Sequence, residues 1–327
     1  MEYIILGRTG VKVPRISLGT WSYGGAAESH GLGVGWANQI DADSRNALTA
    51  AHDSGINHWD TADVYGSGRS EKIIGSMWSD IPRQQIFLAT KVGWDSGPHK
   101  HWYHPQYMRK KMEESLINLK TECVDLIYLH HCNFGDEGEF FDDALEAVRR
   151  FQEEGKTRFL GLSDWSNSKI LNFIKAADPD VVQPYRNVMD DNYLSSGLKE
   201  YIEKNNLGVC FFSPLKHGLL TGKYTEIPKF EKGDFRQTIK AFKKPDLIKK
   251  MQANKTLLEK HFASHPEPVL RGLVDALLTN VSGGCVLLGQ RNLEQVKSAA
   301  VLGQALSQED AAWVRELYGE GEVTSDE

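Results

Sequence analysis

The sequence predicts an α/β fold: a parallel (β/α)8 barrel with an N-terminal β-hairpin and an extra C-terminal helix. Two observations carry this. Eight short strand-like runs recur along the 327 residues, seven of them separated by helix-length segments, which is the pattern of parallel strands joined by helical crossovers. Three successive runs also end on an ionisable side chain, Asp60, Lys91 and His130. The C-terminal ends of the strands are where a parallel barrel keeps its chemistry. No composition shift marks a linker, so residues 1–327 are expected to form one domain, a length common for a barrel.

The elements follow in order. Residues 3–6 and 12–14, around Thr9-Gly10, read as a hairpin expected to plug the bottom of the barrel. Strands are expected at 15–18, 56–60, 86–91, 124–130, 159–163, 181–183, 208–213 and 285–288, each a short apolar-leaning run. Amphipathic runs at 43–54, 71–78, 105–119, 141–154, 166–176 and 197–205 supply helices, and 307–318 the extra one. Asp43, Ser166 and Ser307 precede helical runs and are expected to cap them. The stretch 218–244 is too long for an ordinary turn, and loops of that size usually serve function.

Bulk properties narrow the function classes. A net charge of −6 gives no electrostatic footprint for nucleic acid or an anionic membrane. Lys240, Lys243, Lys244, Lys249 and Lys250 form a local basic cluster, read as a solvated helix surface. The N-terminus has no basic segment followed by an apolar core, and no run reaches membrane-spanning length. Cys123, Cys132, Cys210 and Cys285 show no metal or redox spacing and read as reduced thiols. A soluble cytoplasmic protein is expected.

Asp60, Tyr65, Lys91 and His130 form the candidate catalytic constellation. A free phenol titrates near pH 10, a weak acid for protonating a developing alkoxide. A lysine ammonium beside it stabilises the phenolate and is expected to lower that pKa, while a carboxylate keeps the lysine charged. Tyr65 is therefore assigned as general acid/base, Lys91 as its tuner, Asp60 as the lysine's partner and His130 as the group orienting the carbonyl oxygen.

These residues stand in segments that resemble the aldo-keto reductase family along nearly the whole chain. The segments are Gly19-Thr-Trp21, Gly55-Ile-Asn-His-Trp-Asp-Thr-Ala-Asp-Val-Tyr-Gly66, Ala89-Thr-Lys91, Asp125-Leu-Ile-Tyr-Leu-His130 and Gly161-Leu-Ser-Asp-Trp-Ser166. Phe212-Ser-Pro-Leu215, Gly218-Leu-Leu-Thr-Gly-Lys-Tyr224 and Gly289-Gln-Arg-Asn-Leu-Glu-Gln295 complete the series.

The resemblance implies an oxidoreductase that passes hydride between NAD(P)(H) and a small-molecule carbonyl or alcohol. By position, Ser163, Asp164 and Gln183 would hold the carboxamide, and Phe212 would stack on the nicotinamide. Ser213, Leu215 and Gly218 would line the pyrophosphate, with Lys223 nearby, while Arg236 would face the 2′-phosphate or adenosine. Gly289, Arg291 and Gln295 would cover the adenosine end. The basic residues favour NADP(H), with NAD(H) as the alternative cofactor.

Two positions depart from the family pattern. Asp164 stands where many relatives carry Asn, and an ionised carboxylate does not donate to a carboxamide oxygen, leaving Ser163 and Gln183 as the donors. Ala299 stands where an adenine-contacting Asn is common.

Trp21, Tyr23, Trp94 and His131 are candidate substrate-pocket residues, and Gly31-Leu-Gly-Val-Gly35-Trp36 reads as a flexible first loop. His99, His101 and His104, with Trp102, read as a polar, aromatic rim, and no metal is expected. An aromatic or sugar-like substrate suits such a mouth. Potassium-channel β subunits share the fold and much of the motif set, so a cofactor-binding regulatory subunit is the rival reading.

Overall fold

The computed structural model describes residues 1–29 and 32–319. Strands β1 (Tyr3–Ile5) and β2 (Lys12–Pro14) pair antiparallel with Tyr3 opposite Pro14. The hairpin turns at Gly10, whose φ of 69° favours glycine. Its Leu6 and Val13 are fully buried and pack beneath the barrel with Phe87, Leu126, Val181 and Cys210. The plug seats this deeply because Gly7 lacks a side chain: a Cβ there would lie 2.1 Å from the backbone nitrogen of Gly208.

Six strands follow the plug before the last two close the ring. They are β3 (Ile16–Gly19), β6 (His58–Asp60), β7 (Phe87–Val92), β8 (Val124–Leu129), β9 (Thr157–Asp164) and β10 (Val181–Pro184). With β11 (Gly208–Phe211) and β12 (Gly284–Gly289), they form a closed parallel barrel in the order β10-β11-β12-β3-β6-β7-β8-β9. All eight expected strands are present.

Side chains alternate between two cores because successive strand residues face opposite sides. On β7, Phe87 and Ala89 join the inner cluster, while Leu88 and Val92 join the larger outer layer beneath the helices. Gly161 makes room inside the barrel, since a Cβ there would sit 2.2 Å from Cδ1 of Tyr128.

The crossover helices are α1 (Asp41–Asp53), α2 (Arg69–Gly75), α3 (Pro105–Leu119), α4 (Phe141–Glu153), α5 (Asn167–Ala177) and α6 (Leu198–Lys204). Helix α4 shows why they form: Phe141, Ala144, Ala147, Val148 and Phe151 recur at helical spacing and are the buried face. Ser166 caps α5 by accepting from the Lys169 amide. The cap expected at Asp43 is not made; α1 starts earlier, at Asp41, behind an Ile40 N-cap without a side-chain bond.

Helix α7 (Pro245–His261) occupies sequence read only as a basic surface. A short helical stretch beginning with α8 (Pro268–Leu270) and running into a π-helical turn at Arg271–Asp275 follows, then α9 (Leu293–Ala300). The extra helix α10 (Gln308–Tyr318) is capped by Ser307, as expected. No helix among the described residues is long and apolar enough to cross a membrane.

The first loop, expected as a flexible run, carries backbone pairing of its own. Strands β4 (Glu28–Ser29) and β5 (Leu32–Gly33) pair as a small hairpin; Gly31 lies outside the described residues. Gly35 donates to Gly233 O and accepts from Phe235 N at 2.9 Å, so the loop is strapped to the 219–244 segment by backbone bonds. Glycine is required for this approach: a Cβ on Gly33 would lie 2.6 Å from Asp234 O.

Candidate active site

The barrel delivers the four expected catalytic residues to one place. Asp60 closes β6, Lys91 lies near the end of β7 and His130 follows β8. Tyr65 stands in the turn after β6, where Gly66 packs so closely on Gly24 that a Cβ would sit 2.2 Å from Gly24 O. That backbone contact fixes where the phenol stands. The buried Lys91 ammonium forms an ion pair with Asp60, donates to Thr61 O at 2.9 Å and reaches the Tyr65 hydroxyl at 3.3 Å. The other Asp60 oxygen accepts from Gln183 Nε2 at 2.9 Å. The His130 ring meets Tyr65 edge-on with centroids 5.9 Å apart.

Environment sets the protonation states. Burial pushes the Tyr65 phenol above its ordinary value; Lys91 pulls against that and Asp60 adds to it. The lowering expected from Lys91 is therefore outweighed by desolvation, and the phenol is protonated at neutral pH. Burial works against the Lys91 charge, but Asp60 and Tyr65 more than offset it and its pKa is raised. His130 is driven well below the usual imidazole value by burial, helped by Lys91 and His131. The site thus combines a neutral phenol, a charged lysine and a neutral imidazole.

The expected cofactor residues extend from this point. Ser163 and Asp164 end β9, and Gln183 lies opposite Ser163 on β10. Both Asp164 oxygens accept backbone bonds at 2.7 Å, from Cys132 and from Ser166. Asp164 thereby ties two mouth loops together. Phe212 packs edge-on against Trp165 at 4.8 Å. Beyond it, Ser213, Lys216, His217 and Gly218 all have positive φ, a contorted run of the kind that forms anion-binding backbone concavities.

A cation cluster lies further out. Arg236 makes a two-pronged bond to Asp234, at 2.8 and 2.7 Å, and stacks over Trp36 and Phe230. Arg291 bonds Gln39 and Ala37 O, and its amide donates to Gln295 Oε1 at 2.8 Å. Burial and then Arg236 and Arg291 push the Lys223 ammonium below its ordinary value. A Cβ on Gly289 would meet nothing within 4 Å, leaving open space at that end. Three cations against two nearby carboxylates, Asp234 and Asp43, an open glycine and a contorted backbone loop fit a dinucleotide with phosphate groups.

The mouth is aromatic. Trp21 stacks on Tyr65 with centroids 6.2 Å apart, and Trp94 packs 5.1 Å from His130. His131 stands between Trp94 and Trp102, and burial holds its pKa down to about 3. Tyr23 is a correction: it is fully buried with its hydroxyl donating to Gln290 O at 2.8 Å, so it is a core residue and not a pocket wall. The loop histidines are spent on stacking, His99 on His104 and His101 on Phe140.

Sequence reading missed His217, which is buried among Trp21, Trp36 and Phe235 with Nε2 unpartnered. Burial, with Lys216 and Arg236 nearby, lowers its pKa to about 3. Its place in the mouth depends on the 219–244 segment folding back, and no local pattern signals that.

A closed parallel barrel with this tetrad defines the class. Residues 15–318 match the family model described as "Aldo/keto reductase family", and the chain belongs to that family of NAD(P)H-dependent carbonyl and alcohol oxidoreductases. The chain is 30% identical over 314 residues to the aldo-keto reductase YhdN of Bacillus subtilis, covering 95% of this chain and 91% of that one. It is 29% identical to a probable voltage-gated potassium channel subunit beta of Oryza sativa, over 69% of this chain and 67% of that one. Among solved structures, the glycerol dehydrogenase AKR11B4 of Gluconobacter oxydans superposes with a TM-score of 0.77 at 29% identity, covering 96% and 94% of the two chains.

Proposed function

We propose that this chain is an NADP(H)-dependent oxidoreductase interconverting an aldehyde or ketone with an alcohol, with Tyr65 moving the proton at the substrate oxygen. The observation that carries this reading is the Lys91 ammonium, held by Asp60 and Thr61 O and placed 3.3 Å from the Tyr65 hydroxyl. The bound cofactor supplies the hydride. The chain's own residues handle the charge that appears on oxygen. Tyr65, protonated in the resting site, donates as the carbonyl oxygen becomes an alkoxide, and Lys91 stabilises the phenolate left behind. Neutral His130 donates a ring N–H that orients the carbonyl; in the oxidising direction the same groups run in reverse.

Ser163, Gln183 and Phe212 would hold the nicotinamide, and Ser213, Leu215 and Gly218 the pyrophosphate. Asp164 contributes by ordering the loops that flank it. Lys223, Arg236 and Arg291 would meet the adenosine end, where excess positive charge supports NADP(H) over NAD(H). Trp21, Trp94, Trp102 and His131 suit an aromatic or sugar-like substrate. A single-domain cytoplasmic enzyme is part of the same reading.

The test is NADPH oxidation with a panel of aromatic aldehydes and sugars, comparing wild type with Tyr65→Phe. Removing a general acid costs on the order of 10²–10⁴ in rate. Turnover should fall by that factor while NADPH binding, followed by fluorescence, is unchanged. Equal loss of binding would mean that Tyr65 serves the cofactor and not the proton. The similarity to a channel β subunit favours a second reading, a cofactor-binding regulatory subunit. Tight NADPH binding without turnover across the panel would select it.

A further inference from the structure

Inside the barrel, below the catalytic layer, lies a cluster that the proposed chemistry does not use. His58, Cys210 and Cys285 are fully buried, and their donor atoms all lie within 4.8 Å of one another. His58 Nδ1 is 3.8 Å from Cys285 Sγ and 2.8 Å from Ser17 Oγ. Nε2 of the same ring has no hydrogen-bond partner, and leaving a buried polar atom unmet is costly. Cys210 and Cys285 are direct register partners on β11 and β12. His58 lies two residues before Asp60 on β6, so the cluster sits one inward step beneath the catalytic carboxylate.

We propose that His58, Cys210 and Cys285 form a binding site for a thiophilic closed-shell cation, zinc(II) or copper(I). The donor set is soft and contains no carboxylate, which selects these ions over magnesium or calcium. Zinc–sulfur bonds of about 2.3 Å and zinc–nitrogen bonds of about 2.0–2.1 Å in a tetrahedron place sulfur and nitrogen roughly 3.6 Å apart. The His58–Cys285 separation of 3.8 Å is close to that edge. Ser17 Oγ, 2.8 Å from the same Nδ1, would give up that hydrogen bond when the ion binds and stands where a fourth ligand is needed.

Charge also balances for zinc. The ion displaces a proton from each thiol, two thiolates cancel its charge, and two protons leave to solvent, so no net charge is left in the dry core. The ligands come from β6, β11 and β12, with Ser17 on β3 between them. The ion would therefore clasp the seam where the last strand of the barrel meets the first. Full burial of all three donors means it must be taken up during folding or a large opening.

The experiment measures metal per chain by mass spectrometry after growth in zinc- or copper-supplemented medium and dialysis of the native protein against a chelator. Cys210→Ser, Cys285→Ser and, as a control, the partly exposed Cys123→Ser are compared with wild type. One equivalent in wild type and in the control, reduced roughly tenfold or more in the other two, establishes the site, and the two growth arms identify the ion. Wild type refolded with cobalt(II) should show a thiolate-to-cobalt charge-transfer band, a readout that does not depend on the variants folding. Substoichiometric metal in both arms without that band overturns the proposal. So does metal retained in Cys285→Ser, or an intact mass two hydrogens short, which marks a Cys210–Cys285 disulfide.

Discussion

Asp63 is a carboxyl folded into a place that disfavours its charge, and Asp63→Asn should reveal this as a pH-dependent gain in stability. The residue is 4% exposed, no side chain hydrogen-bonds its carboxyl, and the nearest cation, Lys111 Nζ, is 4.0 Å away. Burial, with Glu71 adding to it and Lys111 opposing, raises its pKa from 3.8 to about 8. Because the folded value exceeds the unfolded one, the unfolded chain gives up this proton first. Stability is therefore full below about pH 4 and is lost as pH rises toward 8.

At about 1.4 kcal/mol per pKa unit, the whole window corresponds to an upper bound on the order of 6 kcal/mol. With an unfolding entropy of roughly 2.1 cal/mol/K per residue, that is at most about 8 °C in Tm for a chain of this size. Asparagine occupies the same volume with no proton to lose. Scanning calorimetry of wild type and Asp63→Asn from pH 5 to pH 8.5, about three-quarters of the window, should show a difference in Tm that widens toward alkaline pH by up to about 6 °C. Asp275, raised to about 7 by burial, titrates in the same window but cancels in the difference. A difference in Tm that stays constant with pH would refute the reasoning.

Three further outcomes follow from the packing. Gly161→Ala places a methyl 2.2 Å from the Tyr128 ring and should cost about 1–3 kcal/mol in denaturant unfolding, with loss of activity because Tyr128 lies beneath Lys91. Arg236→Ala should weaken NADPH binding by roughly tenfold or more and NADH binding far less; an equal loss for both would place Arg236 away from any 2′-phosphate. Ser166→Ala removes the α5 cap and should lower stability by about 1 kcal/mol, with turnover unchanged.

The strands and the tetrad were legible because their signals are local. Each strand is a short apolar run, and the residue that closes it is adjacent in sequence, so Asp60, Lys91 and His130 could be placed at one barrel end from spacing alone. Helix α3 was read with both boundaries correct, since Pro105 starts it and Lys120, with φ 49°, ends it. Helix α7 was legible only as a solvated helix surface, because Lys249 and Lys250 dominate its start while the buried Ile248, Met251 and Leu258 are scattered among polar residues. Tyr23 was misplaced because its neighbour Trp21 does face the mouth, while Tyr23 turns into the core toward Gln290. The sign of the Tyr65 shift was not accessible either. Desolvation depends on the loops folded over the phenol, and composition does not record that.

The bond from Gln183 to Asp60 has a mechanical consequence. In the closed ring, β10 and β6 are four strands apart, on opposite walls of the barrel. The amide therefore acts as a tie-rod across the diameter, and the carboxylate that steadies Lys91 is also its anchor. Any load that makes the ring oval, such as a neighbour pressing on one flank, would be felt at the lysine and the phenol before any residue in the mouth had moved.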